Sequence, residues 1–188
     1  MTVRMQTPTE LSDGTIAIRT YQPQDVHLYF EAARESIAEI SRHLPWLHQE
    51  YSIEETRMWI EKTVPKLWKQ QSEYHFVITE AATGSVLGAC GLDQVNWVDQ
   101  TANLGYWVRT SRTRQGIATA ASKLLVRFGF EKLQLKRIDV VTSIKNAPSV
   151  RVAEKLNPSK KKSMKDSSST KEGVSDTIVF SLFSHDTS

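Results

Sequence analysis

The sequence lacks the features of a disulfide-stapled, zinc-binding or membrane-spanning protein. It has one cysteine among 188 residues, Cys90, which excludes an internal disulfide and a cysteine-based zinc site. No apolar run approaches the roughly 18 residues that a membrane helix needs. The first residues, Met1 to Leu11, lack the apolar core of a secretory signal. We therefore expect a soluble, cytoplasmic protein that does not bind a membrane and holds no metal.

The net charge is small and unevenly distributed. The formal charge is +3 and the isoelectric point is about 9.0, but six lysines lie between Lys155 and Lys171, where Asp166 is the single acid. The excess of positive charge therefore belongs to one segment and not to a face of a fold. A nucleic acid is consequently not an expected partner. Hydrophobic residues make up 39% of the chain, enough for a core in one folded domain.

Hydrophobic periodicity predicts one α/β (α+β) domain over residues 1–188. Asp25 is expected to cap the first helix, Ser52-Ile53-Glu54-Glu55 to open the second as a capping box, and Pro65 to interrupt it. Because helices surround a central run of hairpin strands, the sheet should be mixed but mostly antiparallel. The strands are expected at about 15–19, 74–79, 86–92, 102–108, 137–142 and 176–183, and the helices at about 26–40, 52–64, 115–132 and 148–156.

Residues 157–173 interrupt this pattern. The segment is rich in lysine and serine, and Met164 is almost its sole apolar residue, so the composition predicts a mobile loop. Two explanations stay open: an insertion specific to this chain, or a locally shifted reading frame, since patterned sequence resumes at Val174.

The strand at 102–108, the loop after it and the long helix that follows carry the strongest chemical signal. The first N–H groups of a helix have no partner inside it, and the helix dipole makes that end positive, so it can hold a diphosphate. Gly116 lets a phosphate approach the main chain, and Ala118 keeps the helix close. Arg112 and Arg114 add positive charge. The alternative is an ordinary strand-to-helix turn.

Several motifs in order resemble a known family. They are Gly105-Tyr106-Trp107-Val108, Gln115-Gly116-Ile117-Ala118, Asn146-Ala147-Pro148-Ser149 and Val152-Ala153-Glu154-Lys155-Leu156. Together they resemble the GNAT superfamily of acetyl-CoA-dependent N-acetyltransferases. His43-Leu44-Pro45-Trp46 and Gly91-Leu92 are similar to the branch that acetylates the N-terminal amines of ribosomal proteins. The resemblance covers about residues 14–156 and resumes at about 175–182.

The resemblance implies a cofactor site between splayed central strands, with acetyl-CoA as co-substrate. It implies that Asn146 contacts the cofactor and that Ser149 lies near its sulfur. The main chain of Tyr106, Trp107, Val108 and Arg109 would lie beside the pantetheine arm, and the diphosphate would lie on Arg114, Gln115, Gly116, Ile117, Ala118 and Thr119.

Elementary chemistry gives these groups tasks. An amine that attacks a thioester creates an oxyanion, which a strand N–H can stabilise, and the Ser149 hydroxyl can relay a proton to the departing thiolate. The alternative for Ser149 is a hydrogen bond to its own helix turn. We assign no nucleophilic role to Cys90, because it precedes the cofactor motifs, and we expect direct attack without a covalent enzyme intermediate.

The sequence departs from the family pattern at two site positions. Asn103 stands where many relatives have a glutamate, which leaves Asp93 or His75 as alternative bases, unless both are simply structural. A protein α-amine, with a pKa near 8, is neutral at pH 7 about a hundred times more often than a lysine side chain and needs little base. Thr113 replaces an Arg or Gln, so the diphosphate would depend on main-chain groups and Arg114.

Aromatic residues before the first hairpin have two interpretations. The resemblance implies that this region walls the acceptor site, whereas helical spacing favours ordinary core packing. The residues concerned are Trp46, Tyr51, Trp59 and Trp68.

We therefore predict an N-acetyltransferase that acts on a protein N-terminus. Three alternatives remain: acetylation of a small amine such as a polyamine, amino acid or antibiotic; an acyl-CoA-binding module of weak activity; and, least favoured, a nucleic-acid-binding protein. A homodimer is an open alternative to a monomer.

Overall fold

An eight-stranded sheet is the framework of the computed structural model, which describes residues 10–165 and 176–186. Its strands lie in the order β1-β2-β3-β4-β5-β6-β8-β7, and neighbours are antiparallel except for β5 and β6. The predicted mixed, mostly antiparallel α/β class is confirmed. The strands are β1 (Glu10–Ser12), β2 (Ile16–Arg19), β3 (Tyr74–Glu80), β4 (Val86–Asn96), β5 (Thr101–Val108), β6 (Arg137–Ser143), β7 (Lys160–Lys165) and β8 (Asp176–Phe183).

Helices cover the two faces of the sheet unequally. The front face, as we call it, carries α1, α2 and the π-helical turn, and the back face carries α4 and α5, with Trp68 of α3 packed into the same back cluster. No helix of the described residues is long and apolar enough to cross a membrane. The helices are α1 (Asp25–Ile40), α2 (Ile53–Met58), a π-helical turn (Trp59–Thr63), α3 (Val64–Gln70), α4 (Ile117–Glu131) and α5 (Ala147–Glu154).

The helix starts follow local hydrogen-bond chemistry, with one correction. Ser52 and Glu55 form the predicted capping box, each accepting from the other's main-chain N–H. Asp25 is not the cap of α1, because Gln24 is. The carboxylate of Asp25 is buried and accepts two hydrogen bonds from Arg19 at 2.7 Å. The carboxylate is therefore part of an ion pair between β2 and α1 and does not cap the helix.

The interruption predicted at Pro65 takes the form of the π-helical turn. Val64 donates its N–H to the Trp59 carbonyl, five residues back. Pro65 has no N–H to continue the regular ladder, and as the second residue of α3 its ring is accommodated in the first turn.

Apolar side chains from the two sheet faces form two clusters. The back cluster joins β3, β4 and β6 to α4 through residues such as Phe76, Leu92, Phe128 and Ile138. The front cluster joins α1 and the π-helical turn to the sheet through Val26, Tyr29, Ile60, Val77 and Trp107. Because strand residues alternate between the faces, each cluster fixes the register of the central strands.

The loop predicted over residues 157–173 is wrong for its first part. Residues 160–165 form β7, which pairs with β8 from Lys160 opposite Ser181 to Lys165 opposite Asp176. A strand needs a main-chain partner more than apolar side chains, and the lysine stems cover aromatic rings. The ammonium groups of Lys160 and Lys161 lie 5.2 Å from the ring centres of Phe183 and Phe180. The remainder, 166–173, lies outside the described residues.

Candidate active site

The two parallel strands at the centre of the sheet separate along their length. β5 and β6 pair from Thr101 opposite Arg137 to Asn103 opposite Asp139, and the pairing ends there. β5 continues to Val108 with β4 as its partner. The predicted splay of the central strands is therefore present in the register.

The free edge of β5 faces the resulting gap. Arg109 donates its N–H to the Leu87 carbonyl on the β4 side at 2.8 Å. Since main-chain groups alternate in direction along an antiparallel strand, the N–H and C=O of Tyr106 and Val108 point the other way, into the gap. An extended chain can add to this edge as a further strand.

The start of α4 leaves main-chain donors without acceptors. Arg114 and Gly116 both have left-handed conformations, with φ of 63° and 80°, a geometry in which neighbouring N–H groups converge on an anion. No side chain caps the helix, and the N–H groups of Ile117, Ala118 and Thr119 meet no acceptor within the described part of the chain. A Cβ on Gly116 would meet no atom within 4 Å, so the space above it is open.

These features fit a cofactor with a diphosphate and a further phosphate. The open N–H groups and the α4 dipole suit the diphosphate. Beside them, a depression of about 490 Å³ begins at Gly116 and Thr119 and is flanked by Lys123, Arg127 and Lys155. Coenzyme A carries both kinds of phosphate together with an extended arm that the β5 edge can accept.

Of the three arginines near the loop, Arg114 alone has an exposed side chain with no ion-pair partner in residues 10–165 and 176–186. Arg112 pairs with Glu80 at 2.7 Å. Arg109 donates to Glu35 and to the Val86 carbonyl. Its main-chain N–H bonds to Leu87 and its carbonyl accepts from Arg112, so the cofactor role that the resemblance implies for Arg109 stays a prediction.

Glu35 ties α1 to the loop after β5. One carboxylate oxygen accepts from the Arg109 guanidinium and the other accepts from the Ser111 N–H at 2.7 Å. These donors, Arg109 first, lower the pKa of Glu35 to about 2.

The start of α5 brings Ser149 to the gap. Asn146 caps the helix, and its side-chain oxygen accepts the Ser149 N–H at 3.2 Å. The Ser149 hydroxyl lies 2.9 Å from the Tyr106 hydroxyl. Burial raises the pKa of Tyr106, so the phenol stays protonated. In the alternative interpretation, Ser149 bonds to its own helix turn. Its N–H does so through Asn146, whereas its hydroxyl bonds to Tyr106.

On the front face, a carboxylate of β4 takes a place near the one where the family pattern has a glutamate. Asn103 donates to Asp93 at 3.0 Å. Burial raises the pKa of Asp93, and the Asn103 hydrogen bond and the charge of His75 oppose the shift in part. The side-chain oxygen of Asn103 is buried and has no partner among the described residues.

Beside this pair, Gly105 forms an open, low floor, next to a second glycine that a histidine ring covers. His75 lies over Gly91, leaving no room for a Cβ there, and its ring also bonds to Glu73 at 2.6 Å. Gly105 is opposite Gly91, and the nearest atom to a Cβ built on it would be a carboxylate oxygen of Asp93, 3.8 Å away. An acceptor can therefore approach the β5 main chain closely at Gly105.

The aromatic residues divide between the two interpretations. Trp46 contacts Trp107 and Tyr51 with ring centres 6.1 and 5.6 Å apart, and it is 40% exposed. Trp59 meets the His75 ring at 4.9 Å. Trp68 packs into the back cluster and does not face the acceptor side.

Comparison with known proteins gives a family match over most of the chain. The acetyltransferase (GNAT) domain family matches residues 15–157. YjcK of Bacillus subtilis, named a probable N-acetyltransferase, is 35% identical over 106 residues, 56% of this chain and 58% of that protein. The Bacillus subtilis protein named "Putative ribosomal N-acetyltransferase YdaF" is 26% identical over 75% of this chain and 76% of that protein. This chain thus spans about three fifths of YjcK and three quarters of YdaF.

Solved structures share the fold at low identity. The ribosomal L7/L12 alpha-N-protein acetyltransferase RimL, in complex with coenzyme A, superposes with a TM-score of 0.84 at 18% identity, over 93% of this chain and 98% of that chain. The microcin C7 self-immunity acetyltransferase MccE, in complex with acetyl-CoA and AMP, gives 0.82 at 14% identity, over 92% and 93%.

Proposed function

The chain belongs to the GNAT acetyltransferase family; from this premise we propose that it is an N-acetyltransferase with acetyl-CoA as co-substrate, and that its acceptor is the α-amino group of a polypeptide, as in the ribosomal-protein branch. Family membership and the names of the relatives support an enzyme rather than an acyl-CoA-binding module of weak activity.

Main-chain and hydroxyl groups would act on the donor side. When the amine attacks the thioester carbonyl, the N–H groups of Tyr106 and Val108 at the gap are the donors available for the oxyanion. The carbon–sulfur bond then breaks, and the thiolate takes a proton. Ser149 is our candidate relay: its hydroxyl would give a proton to the sulfur and take one from the nitrogen, which loses a proton as the amide forms. Tyr106 is its hydrogen-bond partner at 2.9 Å.

On the acceptor side, Asp93 is our candidate base. The ammonium form of the amine must lose a proton before it attacks, and a carboxylate with a raised pKa is a better base than an ordinary one. Asn103 holds the carboxylate toward the floor at Gly105. His75 is already engaged by Glu73, so we prefer Asp93 over His75.

One observation carries the choice of a polypeptide. Beyond the floor at Gly105 the acceptor side is open at the front of β6, where Val141 is 50% exposed in the part of the chain that the structure describes. A main chain that continues past its N-terminal amine needs such an exit, whereas a small amine does not. The YdaF and RimL matches support the same choice.

The test is an acceptor comparison with purified enzyme and acetyl-CoA. N-terminal peptides are compared with N-terminally blocked versions, polyamines, aminoglycosides and free amino acids, by coenzyme A release and mass spectrometry. We expect one acetyl group on free-amine peptides and none on the blocked ones. Turnover of small amines with no turnover of any peptide would overturn the proposal.

A small amine is the second candidate. The carboxylates of Asp93 and Glu73 both lie at the acceptor floor, and such a pair would attract a polycation. The fold does not decide between the candidates, because MccE and RimL superpose almost equally well.

A further inference from the structure

Two rows of residues cross the front face from β4 to β7. Strand pairing places Asp93 opposite Asn103, Asn103 opposite Asp139, Asp139 opposite Ser181, and Ser181 opposite Lys160. The second row is one step further along the strands. It contains Gly91 opposite Gly105 on one side of the gap, and Val141, Val179 and Lys162 paired in series on the other.

Each row changes character along its length. The first row begins at the Asp93 carboxylate, where we place the amine, and ends at Lys160. Between them, the Ser181 hydroxyl donates to Asp139 at 2.7 Å. The second runs from the glycine floor over Val141 and Val179 to Lys162. Polar and apolar positions side by side suit an extended chain with alternating side chains.

The cationic end is exposed on the same face as the acceptor floor. Lys162 is exposed and has no ion-pair partner among the residues that the structure describes. Met164, on the same side of β7, is 48% exposed. Lys161 points to the back, where it pairs with Glu154 at 2.9 Å.

We propose that the front of β6, β8 and β7 is the docking surface for the acceptor polypeptide beyond its first residue, and that Lys160 and Lys162 select an acidic side chain in it. This rests on the proposed function. The occupant is argued from two facts: the surface begins across the gap from the Gly105 floor, on the same face of the sheet, and its far end carries positive charge that an acidic partner would complement.

Strand spacing sets where the acidic residue must stand. From β5 to β7 there are three steps of about 4.8 Å, or about 14 Å, and an extended peptide advances about 3.3 Å per residue. Four or five residues cover that distance, and the splay between β5 and β6 lengthens it. The acidic residue is therefore expected at about the fourth to sixth position from the free amine.

The test uses the full-length enzyme, acetyl-CoA and decapeptides of one composition. One peptide carries a single aspartate at position five, and its partner carries it at position ten. We expect kcat/KM to be roughly two- to fivefold higher for the first, mainly through KM, as is typical for an exposed ion pair. Raising the salt concentration should reduce the difference.

Matched variants assign the preference to the strand face. Lys162→Ala, and the double change of Lys160 and Lys162 to Ala, should bring the ratio of the two peptides toward one. Lys161→Ala changes the neighbouring lysine on the opposite face and should leave the ratio intact. Melting temperatures identify any variant whose folding has changed.

The outcomes separate the two proposals. If no peptide is acetylated, the proposed function itself fails. If peptides are acetylated but the aspartate position has no effect, or if Lys161→Ala removes the preference as fully as Lys162→Ala, the docking surface is wrong and the proposed function stands.

Discussion

The two sides of the gap between β5 and β6 are built from different parts of the chain. The cofactor side uses the main chain: the free β5 edge and the N–H groups that start α4. The acceptor side uses side chains from separate strands, such as Asp93 and Asn103, around a floor made of glycine.

Because one side uses main-chain groups and the other uses side chains, substitutions affect the two sides differently. Main-chain donors exist at every residue, so the cofactor side depends on conformation, above all the left-handed Arg114 and Gly116. The acceptor side depends on which side chains meet across strands. A family can therefore keep one cosubstrate while its members change acceptor, and variants of this chain can test the two sides separately.

The largest effect is expected on the main-chain side. Gly116→Asp puts a carboxylate where the diphosphate would bind and gives the α4 N–H groups an internal acceptor. We expect coenzyme A affinity to fall about 1,000-fold, since two or three charge-assisted hydrogen bonds are lost. Isothermal titration measures it.

Gly84→Asp is the matched control. Gly84 also has a left-handed conformation, with φ of 73°, and open space around it, but it lies in the turn between β3 and β4. Gly84→Asp should lower the free energy of unfolding about as much as Gly116→Asp does, because both replace a left-handed glycine, and it should leave coenzyme A binding unchanged. Equal loss of affinity in both variants would argue against the α4 start as the diphosphate site.

The next effect is expected where the two sides meet. Ser149→Ala should lower kcat about 100-fold with unchanged coenzyme A affinity, because the thiolate loses its proton donor. Ser149→Thr keeps the hydroxyl and should restore much of the rate. Steady-state kinetics beside titration measures both, and an unchanged kcat for Ser149→Ala would remove this residue from the mechanism.

On the acceptor side, Asp93→Asn should reduce kcat/KM about tenfold for a peptide amine, a modest loss because that amine is partly neutral already. The wild-type rate should rise with pH through the raised pKa of Asp93, and the variant should lose that limb of the pH profile. A profile identical in both enzymes would exclude Asp93 as the base.

Stability gives an independent measurement on the same variant. A carboxyl whose pKa is raised by folding stabilises the protein below its unfolded pKa, near 3.9, and loses that contribution as pH rises through the folded pKa. Asp93→Asn should therefore raise the melting temperature at pH 7 and change little near pH 3.

The smallest effect is expected at Glu35, which joins α1 to the loop between the two sides. Its pKa of about 2 means that it stabilises the fold above its ordinary pKa, and that the contribution disappears as pH falls toward 2. Glu35→Gln should lower the melting temperature by about 2–4 °C at pH 7. Scans at pH 7, 5 and 3 should show the difference shrinking.

The sequence predicted the parts that depend on neighbouring residues. The capping box at Ser52 is visible in a short pattern, and the structure confirms it. The assignments of Gly116 to the diphosphate and of Ser149 to proton transfer have consistent geometry and stay predictions.

What the sequence did not predict depends on distant partners. Asn103 meets Asp93 through strand pairing, and Tyr106 meets Ser149 across 43 positions. The expectation that Asp25 caps α1 is wrong because Arg19 binds its carboxylate, and Arg19 belongs to another element, so the local pattern around Asp25 does not reveal it. β7 has the composition of a loop and becomes a strand because β8 offers it a main-chain edge.

The buried position of the lone thiol has a practical consequence. Cys90 lies inside β4, and burial raises its pKa, so little reactive thiolate is present at neutral pH. A disulfide reagent added to a reaction with the folded enzyme should therefore react with the released coenzyme A thiol, with almost no background reaction at Cys90. The native chain can also be labelled at one introduced surface cysteine without first replacing its own.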